Sequence, residues 1–529
     1  MTFNDTFPYP SQRMPVMAKD VVATSQPLAA QAGLHMLAQG GNAVDAAVAT
    51  AITLTVVEPT GNGIGSDAFA IVWDGNRLHG LNASGRSPLG LRAEAFTGLN
   101  AMPLRGWDSI TVPGAVSAWV ELSRRFGRLP FEQLFAAAIR YARDGFLVSP
   151  AIARSWARAP ELFAQFPAFQ RTFLPKGRAP RAGELFHCSD QADTLELLAA
   201  TYGEAFYRGE LADKMVAEAK AHGASLSEAD LSEHRCQWVD TISMRYGGVD
   251  LHEIPPNGQG LAALLTLGIL KRTCVQDYAV DSADSLHLQI EAMKLALKDA
   301  HRYVADPDYL DVDVLHLLDE AYLDSRAAMI DMGRAKDPGH GAPQAGGTVY
   351  LATADREGLM VSFIQSNYVG FGSGVVIPGT GIAMQNRGAG FTTTAGHPNS
   401  VGPGKRPFHT IIPGFVMNGG APYLAYGVMG GPMQAQGHAQ LLVRMRDYGQ
   451  NAQAASDGPR WRVTAGLEVA VEAGFRAEVL EELTRRGHQI AVAAPDQSFS
   501  FGGAQLIERT SSGYIGASDH RKDGQAAGF

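Results

Sequence analysis

Apolar and polar positions along the chain repeat with two different periods, and the switches between them mark its elements. Val21-Val-Ala-Thr-Ser25 reads as a short strand. From Gln26-Pro27 to Gln39, Leu28, Ala32, His35 and Met36 fall near one face and predict a helix, which Gly40-Gly41 ends by supplying a left-handed cap. Asn42 caps a second helix, Ala43 to about Val57, apolar all round and therefore expected to be buried. Strands follow at Ala68–Trp73 and Leu78–Asn82, joined at Asp74-Gly75. From about residue 108 to 330 the pattern is mainly helical, interrupted by a strand and turn within residues 246–260. In that region Asp284 to about Arg302 forms a long helix, where His287, Glu291, Lys294 and Lys298 recur at helical spacing and read as a solvated face.

After residue 347 the chain is richer in strand. Gly333 to Gly347 has no apolar period and is full of Gly, Pro and Ala, so it reads as an exposed loop. Thr348–Ala354 is then β-rich, Asp355–Gly358 is a turn, and Leu359–Ser366 is a second strand. Further strands are expected at Ile411–Asn418 and Pro422–Val428, then a helix from Met433 to about Tyr448, a helix near Gly474–Arg486 and closing strands through Tyr514.

Thr348 thus stands where a loop meets a buried sheet. The plain reading is a strand start, since Thr is common there. The chemical reading is sharper. Cutting before Thr348 would leave an amine and a hydroxyl on one residue, as a nucleophile that uses its own amino group as base requires. Gly430-Gly431 offers a similar choice: glycines at a strand-to-helix turn are commonly structural, and their N–H groups can also hold an oxyanion. Gly61, Gly63 and Gly65 do not form a dinucleotide fingerprint. They follow a helix and precede a strand, the reverse of the phosphate-binding order, and read as close backbone packing near a pocket.

Composition narrows the class. A net charge of -9 without a Lys/Arg block argues against nucleic-acid partners. No apolar run long enough to span a membrane and no signal-like start are present, so a cytoplasmic protein is expected. Cys188, Cys236 and Cys274 lie far apart, without metal spacing or a disulfide framework. His287 and Glu291 could ligate a metal, but no third ligand at useful spacing accompanies them, so no metal or cofactor is expected.

Taken together, several stretches resemble the gamma-glutamyltransferase family of N-terminal-nucleophile hydrolases. They are residues 37–47, the glycines at 61–65, Arg86, Val112-Pro-Gly114, the Thr348 segment, Gly404-Lys-Arg-Pro407, Gly430-Gly431 and Gly516–Gly524. The resemblance implies an α+β fold, a four-layer αββα sandwich of two stacked, mainly antiparallel sheets. It implies that the precursor cuts itself between Gly347 and Thr348, giving a large subunit 1–347 and a small subunit 348–529 that share one folding unit. It further implies Thr348 as nucleophile, Ser366 as its supporting hydroxyl, Gly430 and Gly431 as oxyanion donors, and Arg86 as a carboxylate-binding group. The partners would be a small-molecule amide and the two subunits themselves, with a homodimer of that pair as a further assembly.

The departures from the family pattern bear on substrate. Members acting on glutathione carry an acid that holds the α-amino group, whereas Met384-Gln-Asn-Arg-Gly-Ala-Gly-Phe391 has none. The family's paired serines become His409-Thr410. Arg86 would favour an anion, as would Arg387 and His409, whose alternative reading is structural pairing, so the expected substrate is a small carboxylate-bearing amide without an α-amino group, of the oxamate type. The alternatives are a glutathione hydrolase or γ-glutamyltransferase and, from another class, a binding protein that never matures.

Overall fold

Side chains of the strand Gly347–Ala354 alternate between two apolar layers. Tyr350, Ala352 and Ala354 join one cluster, and Val349 and Leu351 join another. Asp67–Trp73 does the same, with Phe69, Ile71 and Trp73 on one side and Ala68, Ala70 and Val72 on the other. A sheet that is apolar on both faces needs cover on both. The structure, a computed structural model that describes residues 8–9, 13–338, 347–494, 497 and 500–529, supplies it with a second sheet on one side and helices on the other.

The first sheet runs in the order Gln525–Gly528, Val21–Thr24, Gly347–Ala354, Met360–Tyr368, Asp67–Trp73, Leu78–Asn82, Gln237–Val239. The second runs Val16–Ala18, Tyr514–Ser518, Gly503–Arg509, Ala421–Met429, Gly414–Asn418, Val249–Glu253, Ile242–Tyr246. All neighbours in both are antiparallel. Phe69, Ile71, Tyr350, Ile364, Phe415, Ala425 and Ile507 fill the layer between them. Ala43–Val57 and Ala115–Phe126 pack outside the first sheet. Gly260–Leu270, Ala283–Tyr303 and Met433–Arg446 pack outside the second. This is the four-layer αββα arrangement, and segments on both sides of the Gly347–Thr348 junction build each sheet. Among the described residues, no helix is long and apolar enough to cross a membrane.

Three features differ from the sequence reading. The mainly helical stretch 108–330 contains, besides the expected strand at Val249–Glu253, two further strands that form sheet edges, Gln237–Val239 and Ile242–Tyr246. They are short and half-polar, so tertiary pairing rather than period defines them. The chain also closes on a strand, Gln525–Gly528, whose Ala- and Gly-rich sequence has no β signature; pairing with Val21–Thr24 makes it one. Finally, His287, Glu291 and Lys294 are buried rather than solvated, because residues 331–338 and His488 cover that helix face.

The turn before the last strand is locked by charge. Asp519 is fully buried and accepts from Arg460 Nη2 at 2.6 Å, Arg521 Nη1 at 3.1 Å and the Ala504 N–H at 2.7 Å. Burial alone would raise its carboxyl, but Arg460 and Arg521 outweigh that and hold it below the ordinary carboxylate range. The stabilisation is therefore present above the unfolded-state pKa of about 3.9 and is lost as pH falls. Asp519→Ala, which leaves two guanidinium groups buried without this carboxylate, is expected to lower the unfolding free energy by about 3–5 kcal/mol at pH 7. Urea unfolding of the two proteins measures this, and the gap should narrow below about pH 4.

Candidate active site

Strand register builds the site. Val349 pairs with Gln365 and Tyr350 with Ile364, and one step further the same register sets Thr348 opposite Ser366, with Ser366 Oγ 3.1 Å from Thr348 Oγ1, on the inner face of the first sheet. Gly347 then pairs with Tyr368 and not with Asn367. The extra residue is a β-bulge beside that pair. Ser366 Oγ also accepts the Tyr368 N–H at 2.8 Å. Its own proton can therefore point to Thr348. Tyr368 pays for this turn in conformation: its φ is 76°, a left-handed value that a bulky side chain adopts only under constraint.

The backbone around Thr348 is packed too closely for side chains. A Cβ added to Gly61 would lie 3.3 Å from the Thr348 carbonyl oxygen, and one on Gly65 would lie 2.4 Å from the Ala383 carbonyl oxygen. The glycines at 61–65 thus act as the close-packing element that their order in the sequence suggested. Across the sheets, Gly430 and Gly431 have φ of 128° and 62° and lead into the helix Met433–Arg446. Gln434, in its first turn, places Nε2 3.4 Å from Thr348 Oγ1 while Ile412 N–H donates to its Oε1 at 3.0 Å. Gln259 Nε2 bridges the carbonyls of Thr410 and Gly431 at 2.6 and 3.0 Å, tying the glycine turn to the next group of residues.

That group is Asp67, Tyr368, Arg387, His409 and Thr410. Arg387 is 0% exposed, yet its Nε and Nη2 have no hydrogen-bond partner among the described residues. Its Nη1 donates to Thr410 Oγ1 at 2.8 Å, and its guanidinium lies 4.2 Å from the centre of the Tyr368 ring. Burial lowers its pKa to about 10, so it stays charged. Asp67 lies close enough to interact electrostatically with it and accepts from Gly114 N–H at 3.1 Å and His409 Nε2 at 3.1 Å. Burial pushes the Asp67 carboxyl up to about 7, against the pull of Arg387. Burial and Arg387 together drive His409 well below its ordinary range, so it is a neutral donor through Nε2, with Nδ1 accepting from Ile411 N–H at 3.4 Å.

The structure therefore brings Thr348 and Ser366 together, gathers Arg387, His409 and Thr410, and links both to Gly431. Arg86 belongs elsewhere. Its Nη1 donates to Asp306 Oδ2 at 2.6 Å and the Gly404 carbonyl at 2.9 Å, and its Nη2 to Asp308 Oδ2 at 2.9 Å. It lines a separate cavity of about 280 Å³ with Asp230, His234 and Arg406. Asp67, Tyr368 and Gln434 were not anticipated. An acid opening a wholly buried strand was a usable signal for Asp67, because such a group needs partners. Tyr368 and Gln434 carry no signal short of the register.

A third group for the His287–Glu291 pair comes from His488, distant in sequence. The three ligand atoms lie within 4.8 Å of one another. Lys294 already provides the cation there: its Nζ donates to Glu291 Oε1 at 2.7 Å and lies 3.4 Å from His488 Nδ1. A divalent ion would face that ammonium at close range.

Comparison with known proteins identifies the family. The family model described as gamma-glutamyltranspeptidase matches residues 29–529. The chain is 37% identical to the glutathione hydrolase-like YwrD proenzyme of Bacillus subtilis, over 97% of this chain and 98% of that protein. It is 38% identical to the oxamate amidohydrolase proenzyme of Klebsiella pneumoniae, over 95% of this chain and 97% of that one. The crystal structure of a cephalosporin acylase from Bacillus halodurans superposes with a TM-score of 0.94 at 49% identity, covering 100% of this chain and 99% of that chain. The chain belongs to the gamma-glutamyltranspeptidase family, and it is an enzyme of amide chemistry.

Proposed function

We propose that the chain is a self-processing amide hydrolase whose nucleophile is Thr348 and whose substrate is a small carboxylate-bearing amide of the oxamate type. In maturation the Thr348 hydroxyl attacks the Gly347 carbonyl carbon. The peptide nitrogen becomes a free amine, and water releases residues 1–347 from the resulting ester. That amine then takes the proton from the same hydroxyl during catalysis. The oxygen attacks the substrate amide carbon, and the Gly430 and Gly431 N–H groups hold the developing oxyanion, a contribution of about 3–4 kcal/mol in comparable sites. The leaving amine departs with the proton, and water hydrolyses the acyl-enzyme. Ser366 and Gln434 fix the direction of Thr348 Oγ1.

The observation that carries the substrate reading is Arg387, a wholly buried cation with two nitrogens lacking a hydrogen-bond partner among the described residues. Buried charges are ordinarily paired, and a planar fork with two open donors suits a carboxylate. The similarity to an oxamate amidohydrolase proenzyme supports the same class. Asp67 favours a second reading. It is a buried acid near the same cluster, and if it were to hold an α-ammonium group the substrate would be a γ-glutamyl amide such as glutathione. Ammonia release from oxamate compared with glutamate release from glutathione separates the two, with Thr348→Ala as the control. Efficient turnover of glutathione alone would reject the oxamate reading.

Arg387→Met is expected to raise KM for oxamate by at least about tenfold, since hydrogen bonds to charged groups contribute roughly 1.5–3 kcal/mol each. Steady-state kinetics checks this. Asp67 gives a pH dependence. Below about 7 it is neutral and Arg387 acts unopposed; above it the carboxylate repels a substrate anion. KM for oxamate should therefore rise as pH increases through about 7, and Asp67→Asn should abolish that rise.

A further inference from the structure

Behind the second sheet lies a buried acid–histidine pair that the mechanism above does not use. Val249 and Leu251 face the helices outside that sheet, and a period of two puts Glu253 on the same face. Glu253 Oε1 lies 2.6 Å from Nδ1 of His438, which belongs to the helix Met433–Arg446. Both side chains are wholly buried.

A third element fixes the tautomer. The strand Gly414–Asn418 pairs with Ala421–Met429 only as far as Gly414 opposite Tyr426. Val428 stands two residues past that pair, and its N–H donates to His438 Nε2 at 3.3 Å. Nε2 therefore carries the lone pair, and Nδ1–H donates to Glu253. Glu253 Oε2 has no hydrogen-bond partner among the described residues, and burial raises this carboxyl against the pull of His438. The packing leaves no slack. A Cβ on Gly260, which opens the helix Gly260–Leu270, would lie 2.6 Å from Glu253 Cβ. One on Gly437 would lie 2.7 Å from Val428 Cγ1.

Each element that meets here runs on into the site. Val428 precedes Gly430 by two residues. Gln434 lies one helical turn before His438, and its Nε2 is 3.4 Å from Thr348 Oγ1. Gln259, next to Gly260, holds the Thr410 and Gly431 carbonyls. A buried polar pair adds little net stability over apolar packing, so its value lies in fixing one geometry.

We infer that Glu253 and His438 are positioning residues that set the Gly430–Gly431 turn and Gln434 against Thr348. The inference rests on the reading of Thr348 as nucleophile and of those glycine N–H groups as oxyanion donors. The pair sits on the helix side of the second sheet, whereas Thr348 faces the layer between the sheets. It acts through the strand end and the helix start. Oxyanion donors meet a charge that develops only in the transition state, so their displacement lowers kcat and leaves KM nearly unchanged.

The test is steady-state kinetics on fully cleaved enzyme, far below the Tm of each variant, with whichever amide the wild type hydrolyses, oxamate or glutathione. Glu253→Leu leaves Nδ1–H without an acceptor and is expected to lower kcat at least about tenfold, with KM changed by less than about threefold. Glu253→Gln restores that acceptor and should bring kcat back to within about threefold of wild type. His438→Asn matches the Nδ1 end of the ring but does not reach Val428, and it should lower kcat as Glu253→Leu does. It carries the test if Glu253→Leu does not fold. A lowered Tm with wild-type kcat in either slow variant would make the pair merely structural and overturn the inference. So would a Gln variant as slow as the Leu variant, or a rise in KM that matches the fall in kcat. A wild-type chain uncut before Thr348 would instead overturn the nucleophile reading, and this inference with it.

Discussion

The register between Gly347–Ala354 and Met360–Tyr368 is the constraint on which the site depends. The register that pairs Val349 with Gln365 brings two hydroxyls, one step further along, within 3.1 Å of each other inside a packed interior. Neither strand could achieve that alone, because an antiparallel partner is what sets a residue opposite Thr348. The register persists because it is over-determined. Thr24, Val22 and their neighbours hold one strand from outside, and Asp67–Trp73 holds the other over seven paired positions. Tyr350 and Ser362 join their hydroxyls at 2.8 Å on the same inner face. The strain at Tyr368 is absorbed by this frame.

The second constraint is electrostatic. The layer between the sheets is apolar, and a cation there is costly unless an anion meets it. Arg387 is held by an aromatic face and one hydroxyl, and Asp67 answers it only in part, since burial holds that carboxyl up near 7. The interior thus contains a positive charge whose balance shifts around neutral pH. This contrasts with Asp519, where two arginines and backbone N–H groups fully satisfy a buried acid and the result is a structural lock. On the proposed reading, the difference between the two clusters is the difference between a place for a ligand and a part of the frame.

Much of the architecture was legible in the chain. Ala43–Val57 ends where its apolar run ends, and the stretches 68–73 and 348–354, read as strands, fall within strands. The layered fold and the grouping of Thr348 with Ser366 followed from a family resemblance, because period alone cannot say which strands become neighbours. What stayed hidden depends on long-range contact. His287, Glu291 and Lys294 have the spacing of a solvated face, and only the return of residues 331–338 and His488 buries them. The commitment of Arg86 to Asp306 and Asp308 was equally invisible, since those partners lie more than two hundred positions away. The bulge has no local signature at all.

The central claim is that the hydroxyl of Thr348 gains a free amine by breakage of the bond behind it. Intact-mass analysis and amino-terminal sequencing of the active preparation test it most directly. The account predicts two chains, the smaller beginning Thr348-Val349-Tyr350. A fully active protein that remains one chain of about 56 kDa, or whose smaller chain begins at any other residue, would contradict it.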